Sequence, residues 1–306
     1  IRPLLIWLGA RYFVTGTILA RHDRQKPLAV LAKNILGKSM SETTADNGHV
    51  VLVQRDGDIA TVVLNRPEKL NALNKAMWTR VGAVMHELGA DDSVRCVVLR
   101  GAGDKAMGPG ADISEFETQR SNAEQATEYG ALMHNAMHAI RDCPHPVIAL
   151  IKGLCVGGAM EISLMCDMRI CGEGSRFGVP INRLGLVMAY PEVEALVGLV
   201  GRSVALEILY EARVFGAAEA KDKGLVNRVV ADDAVEEETY KTARRIADGA
   251  PLVNRWHKKF VDRVLAGGPP LSEAEKAEGF ACFDTEDFNT GFRAFLAKEK
   301  PEFEGR

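Results

Sequence analysis

The chain lacks the features that mark several common functions. It has no Cys-x-x-Cys pair; its six cysteines, at 96, 143, 155, 166, 171 and 282, are scattered, several of them inside apolar runs. That spacing argues against a disulfide frame or a zinc site and reads as buried free thiols in a reducing compartment. There is no basic excess either. Lys and Arg number 38 against 41 Asp and Glu, for a net charge of −3, so the electrostatic footprint of a nucleic-acid binder is missing. No repeat with a period of 20–50 residues is visible, which sets solenoids and propellers aside. His134 and His138 stand at i, i+4, the spacing of some zinc sites. No glutamate base adjoins either one, so they read as helix-face histidines and no metal is expected.

The first forty residues differ from the rest. They hold seven Arg or Lys and a single acid, Asp23, and their longest uncharged run is the nine residues from Tyr12 to Ala20. Nine residues cannot span a bilayer, and no apolar core with a small-residue cleavage site is present. Three readings stay open: a basic organelle-targeting segment, an upstream extension ahead of the start-like Met40, or an accessory helix. The segment 1–40 is expected to be dispensable for catalysis. The compartment is expected to be cytoplasmic, or the mitochondrial matrix if 1–40 is a targeting segment.

Beyond it, strands and helices alternate. Two β-branched runs flank Asp56-Gly57-Asp58 in 49–64, the chemistry of a hairpin turn. Met77, Val81, Val84, Met85 and Leu88 recur at helical spacing within 74–92. Short apolar strands are predicted at 95–101, 147–153, 168–172 and 225–230. A long amphipathic helix is predicted over 122–143, stopped by Pro144 and Pro146. From Pro191 onward the pattern is mostly helical. The fold class is α/β, with a helical C-terminal part.

Three segments carry chemistry. The loop RGAGDKAMGPGAD (100–112) has four glycines and follows a predicted strand. It matches neither G-x-x-x-x-G-K-[ST] nor a G-x-G-x-x-G that opens a helix, so nucleotide phosphate is not its ligand. It either presents bare backbone N–H groups to a polarised oxygen or is a plain surface loop. Gly157-Gly158 marks a strand-to-helix junction, where glycines permit close approach of a ligand or of another backbone. One N–H from each loop, converging on a carbonyl oxygen, would form an oxyanion hole. Glu161 lies three residues on, among Met160, Ile162, Leu164 and Met165. A dry carboxylate there becomes an acid or base usable near neutral pH. The competing reading is a structural carboxylate paired with Arg169 or Arg176.

These motifs, taken in order, resemble the crotonase (enoyl-CoA hydratase/isomerase) superfamily. The resemblance rests on LNRPEKLNALN (64–74), KAMGPGADISEF (105–116), GLCVGGAMEISLMCDMRIC (153–171), RFGVPINRLGL (176–186), AAEAKDKGLVNRVV (217–230) and GFRAFLAKEKPEF (291–303), and covers about residues 49–303. It implies a ββα spiral core over 41–230 and a helical trimerisation region over 231–306. It also implies an acyl-CoA thioester substrate, homotrimers or hexamers, and no cofactor beyond the CoA of the substrate. It places the oxyanion donors at the N–H groups of Ala111 and Gly158 and the catalytic carboxylate at Glu161. Substrate contacts fall on Lys69, Ala72, Leu73, Gly110, Asp112, Ile113, Gly157 and Ile181, with Phe283 and Lys298 near the CoA moiety.

The chain departs from the family pattern where hydratases carry a second glutamate after the F-G-x-P element. Here FGVPIN puts Ile181 there. Met107 and Pro109 also depart from the usual first loop, and VMAYPEVEAL (187–196) replaces a glycine-rich turn. Glu192, beside Pro191 at a predicted helix start, is the one protein candidate for the missing acid/base group, in a stretch that lines the acyl end of the pocket in the family; Glu194 would point elsewhere on the helix. The plain alternative is a helix-start residue that satisfies local N–H groups. Enoyl-CoA hydration is the leading reading; double-bond isomerisation with one glutamate and a catalytically weak acyl-CoA-binding subunit remain alternatives.

Overall fold

The structure is a computed structural model and describes residues 49–306. The expectations for residues 1–40 lie outside the described residues. The hairpin forms around Gly57: β1 (Val51–Asp56) and β2 (Ile59–Leu64) pair antiparallel, Asp56 opposite Ile59, and Gly57 takes φ +60°. Helix α1 (Lys75–Gly89) starts at Asn74, whose side chain accepts the Met77 N–H at 2.9 Å. Strands β3 (Cys96–Gly101) and β4 (Ala106–Gly108) follow, then the single turn α2 (Phe116–Gln119) and the long α3 (Ala123–Arg141). Next come β5 (Val147–Ile151), β6 (Leu154–Val156), α4 (Gly158–Leu164), β7 (Met168–Gly172) and β8 (Arg176–Gly178). Helix α5 (Tyr190–Glu211) breaks at Gly201, where φ is +72°. It is followed by β9 (Phe215–Gly216), α6 (Ala217–Asp222) and β10 (Arg228–Val230). Four helices close the chain: α7 (Val235–Ala247), α8 (Pro251–Ala266), α9 (Glu273–Glu278) and α10 (Glu286–Ala297).

The strands form two sheets. The larger runs β1-β2-β3-β5-β7-β10, parallel apart from the hairpin; the smaller runs β4-β6-β8-β9. Each pass of the chain lays one long strand in the first sheet and one short strand in the second, which is the ββα spiral. The short strands escape sequence reading because two or three residues carry no periodicity. Alternation sorts the faces of the large sheet. Val97, Leu99, Val147, Ala149 and Ile151 face the main core beneath α1, α3 and α4. Val98, Ile148, Leu150 and Ile170 face the other way, where Val235, Ala243 and Ala247 of α7 cover them. The helix that opens the stretch assigned to the C-terminal region therefore packs on the sheet itself. On α10, Phe292, Phe295 and Leu296 stay exposed.

The polar turn before α1 fixes the first glycine loop. Asn71 is buried at φ +65°, and its Nδ2 donates to the Ala102 and Ala106 carbonyls at 3.0 and 2.8 Å, while its Oδ1 accepts the Arg66 N–H at 3.0 Å. Arg66 in turn grips the Ala72 carbonyl at 2.7 Å and Asp112 at 2.9 Å. Asn71→Ala would strand the buried Ala106 carbonyl and the half-buried Ala102 carbonyl and put alanine in a left-handed conformation. We expect a loss of about 3 kcal/mol in urea unfolding; a loss below about 1 kcal/mol would show that this turn does not anchor the loop.

Candidate active site

The two glycine loops meet. Gly110 (φ +109°) and Gly157 (φ +53°) both hold conformations that suit glycine. They also pack face to face: a Cβ added to Gly110 would stand 3.2 Å from the Val156 carbonyl oxygen and 3.4 Å from the Gly158 nitrogen. A Cβ added to Gly158 would stand 3.7 Å from the Ala111 nitrogen. The loop 109–112 is held by a bridge to Leu73: the Leu73 N–H donates to Gly110 O at 2.9 Å and the Asp112 N–H to Leu73 O at 2.8 Å. That bridge skips the Ala111 N–H. Among the described residues, neither the Ala111 nor the Gly158 N–H donates to another backbone carbonyl. Two free donors therefore sit side by side on one wall of a cavity of about 910 Å³.

Glu161 forms part of the same wall, one turn into α4. It is 7% exposed. The pairing with Arg169 or Arg176 does not occur. Arg169 is buried and donates to the carbonyls of Leu225, Ser163 and Cys166 at 2.8, 3.2 and 2.6 Å, while Arg176 is exposed. Burial pushes the Glu161 carboxyl up to about 7; the Glu192 charge adds to the rise, and Arg120 opposes it. Arg120 lies at the cavity wall over the Phe116 and Tyr129 rings, 4.5 and 4.9 Å from their centroids.

Glu192 is buried in the first turn of α5, also in the cavity wall, whereas Glu194 is exposed. Its side chain does not satisfy the helix start. Oε1 lies 3.1 Å from His134 Nε2, and Oε2 has no protein partner. His134 is thus a cavity residue rather than a solvated helix-face histidine. Its ring stacks on that of His138 at 6.3 Å, and among the described residues no group of three or more His, Cys, Asp or Glu is placed to hold a metal ion.

Of the other residues singled out from sequence, Gly110, Ile113, Gly157 and Ile181 line the cavity. Ala72 and Leu73 are buried behind the first loop, and Lys69 is exposed outside the cavity wall. Asp112 is not in the wall; it holds Arg66 and caps the turn at 113–115, accepting the Ser114 N–H at 3.2 Å. Phe283, in the short turn 281–284 between α9 and α10, and Lys298, which caps α10, are not among the residues of this wall. Sequence reading missed Trp78, Arg120 and His134 as cavity residues. Trp78 and His134 lie on helices whose amphipathic pattern alone explains them, and the His134–Glu192 contact spans 58 residues.

The carboxyl of Glu161 links the site to stability. Below its ordinary value of 4.5 it is neutral in both folded and unfolded chains. As pH rises toward about 7 the unfolded chain releases its proton first, so folded stability falls; above about 7 the loss is complete, at ~3 kcal/mol. Glu161→Gln removes this penalty. We expect the variant to exceed the parent in denaturant stability at pH 8 by up to ~3 kcal/mol, with the difference vanishing near pH 4. An unchanged difference across that range would mean that the carboxylate is not desolvated.

The chain matches the enoyl-CoA hydratase/isomerase family over residues 54–306. It is 33% identical to the short-chain-enoyl-CoA hydratase of Clostridium acetobutylicum, over 82% of this chain and 96% of that protein. It is also 33% identical to the crotonyl-CoA hydratase of Syntrophomonas wolfei, over 83% and 97%. A crystal structure of an enoyl-CoA hydratase/carnithine racemase from Magnetospirillum magneticum superposes with a TM-score of 0.83 at 50% identity, covering 84% of this chain and 96% of that one. With the two glycine loops, the buried glutamate and the ββα spiral in place, the chain belongs to the enoyl-CoA hydratase/isomerase family, within the crotonase superfamily.

Proposed function

We propose that this chain adds water to the C2=C3 double bond of a 2-enoyl-CoA thioester. The observation that carries the reading is Glu161: a desolvated carboxylate without a protein partner, next to two adjacent free N–H groups. The thioester oxygen accepts hydrogen bonds from the Ala111 and Gly158 N–H groups. Water oxygen bonds to C3 while Glu161 takes its proton, and the π pair moves onto the thioester oxygen as an enolate. Glu161 then returns that proton to C2. A carboxyl with a value of about 7 can act in both directions at neutral pH, and a well-placed oxyanion donor contributes about 3–4 kcal/mol to such an intermediate. CoA enters as part of the substrate, and no further cofactor takes part in this reading.

One observation favours a second reading. Ile181 lines the cavity where a second acid/base group is usual in the hydratases of this family, and it cannot move a proton. Double-bond isomerisation needs one base, which takes a proton from C2 and returns it to C4. We also infer that copies of the chain assemble through their C-terminal helices, supported by the exposed Phe292, Phe295 and Leu296, and that Phe283 and Lys298 meet the CoA adenine and phosphates there. The five buried free cysteines support a reducing compartment such as the cytoplasm; among the described residues no helix is long and apolar enough to cross a membrane.

A panel of 2-enoyl- and 3-enoyl-CoA thioesters, incubated in deuterated water and analysed by mass spectrometry, separates the two reactions. We expect a product 18 Da heavier in ordinary water, following from the added H2O. The rate kcat/KM should rise with pH to a plateau above about 7, because the base form of Glu161 is the active one. Glu161→Gln should lower kcat by at least about a hundredfold. Isomerised thioesters without hydrated product would replace hydration with isomerisation, and a Glu161→Gln variant as active as the parent would exclude both.

A further inference from the structure

We propose that Glu192 and His134 form a water-positioning pair: Glu192 Oε2 accepts a hydrogen bond from the attacking water, and His134 holds the same carboxylate through Oε1. The proposal rests on the reading of the chain as a hydratase, and it supplies a water-binding carboxylate where Ile181 offers none.

Four observations carry it. Glu192 is 3% exposed, yet it belongs to the wall of the cavity that holds Glu161. Its Oε1 lies 3.1 Å from His134 Nε2 on α3, a contact between two elements rather than within one helix. Its Oε2 is buried and takes no hydrogen bond from any protein group. A buried carboxylate oxygen left without a donor is unfavourable unless a ligand or a bound water supplies one. Finally, the Glu192 charge raises the proton affinity of Glu161, so the two carboxyls act on each other within one cavity.

Both carboxylates belong to the wall of one cavity, and the proposed water lies between them. One hydrogen points to Glu161, the other to Glu192 Oε2, and an oxygen lone pair is left for C3. When the O–C3 bond forms, the π pair moves to the thioester oxygen held by the Ala111 and Gly158 N–H groups. The first proton passes to Glu161 and from there to C2. Glu192 exchanges no proton, so no co-reactant is needed. His134 is a positioning residue: with its proton on Nε2 it donates to Oε1 and fixes the carboxylate plane. The other charged or titratable residues of the same wall are Glu161 and Arg120, and His138 stacks on the His134 ring.

The test is steady-state hydration of crotonyl-CoA by the full chain and by Glu192→Gln, His134→Ala, His134→Gln and Glu161→Gln, each checked for folding by circular dichroism. Glu192→Gln and His134→Ala are expected to lower kcat about tenfold or more with KM within about threefold. His134→Gln, whose amide N–H can still donate to Oε1, is expected to bring kcat back to within about threefold of the parent. The rescue separates positioning from mere packing. His134 is partly exposed, so the two His134 variants decide the matter even if Glu192→Gln does not fold. Glu192→Gln and His134→Ala within twofold of a hydrating parent, beside an inactive Glu161→Gln, would overturn the pair and leave the hydratase reading standing. A raised KM with unchanged kcat would make the pair a substrate contact and also overturn it. A parent that yields no hydrated product would overturn the pair together with the hydratase reading.

Discussion

The carboxylate of Glu161 is buried with no cation paired to it, and the rest of the site follows from that arrangement. A paired carboxylate would be a weak base; an exposed one would keep its ordinary proton affinity. Here the α4 neighbours Ala159, Met160 and Ile162 are fully buried, and Arg169, the nearest buried cation in sequence, spends its donors on carbonyls. Desolvation then sets proton affinity near neutrality. The same dryness strengthens the two N–H donors next to it, because a hydrogen bond to a developing oxyanion gains most where water does not compete.

Such an arrangement needs a scaffold that keeps backbone donors unpaired without letting them drift. The spiral supplies it by ending β4 and β6 in glycine loops that touch. Gly110 and Gly157 allow the approach, and the Leu73 bridge holds the first loop by its neighbours while skipping Ala111 itself. Behind that loop, Asn71 and Arg66 satisfy carbonyls that would otherwise be stranded. Alternate residues of the large sheet bury in opposite directions, so α7 stabilises one face while the other carries the site.

Much of this was legible in the sequence, for identifiable reasons. The long strands and helices announce themselves by period, and the hairpin by Asp56-Gly57-Asp58. Glu161 stands out because an isolated acid in an apolar run is rare, and the glycine loops stand out by composition. What stayed hidden depends on contacts distant in sequence or on elements too short to show a period. The small sheet is built from strands of two or three residues. His134 joins Glu192 across two helices, and its i, i+4 relation to His138 draws attention to the wrong partner. Asp112 reads as a substrate contact by its motif, whereas the fold spends it on Arg66 and Ser114.

The central claim is that Glu161 titrates as a desolvated group. Infrared difference spectroscopy of the ligand-free protein, with Glu161→Gln subtracted to isolate one carboxyl band, reads its ionisation directly. The account requires a midpoint near 7, together with a protonated C=O band at the high frequency of a carboxyl in apolar surroundings. A midpoint near the ordinary 4.5, with the band of a hydrated carboxyl, would contradict it.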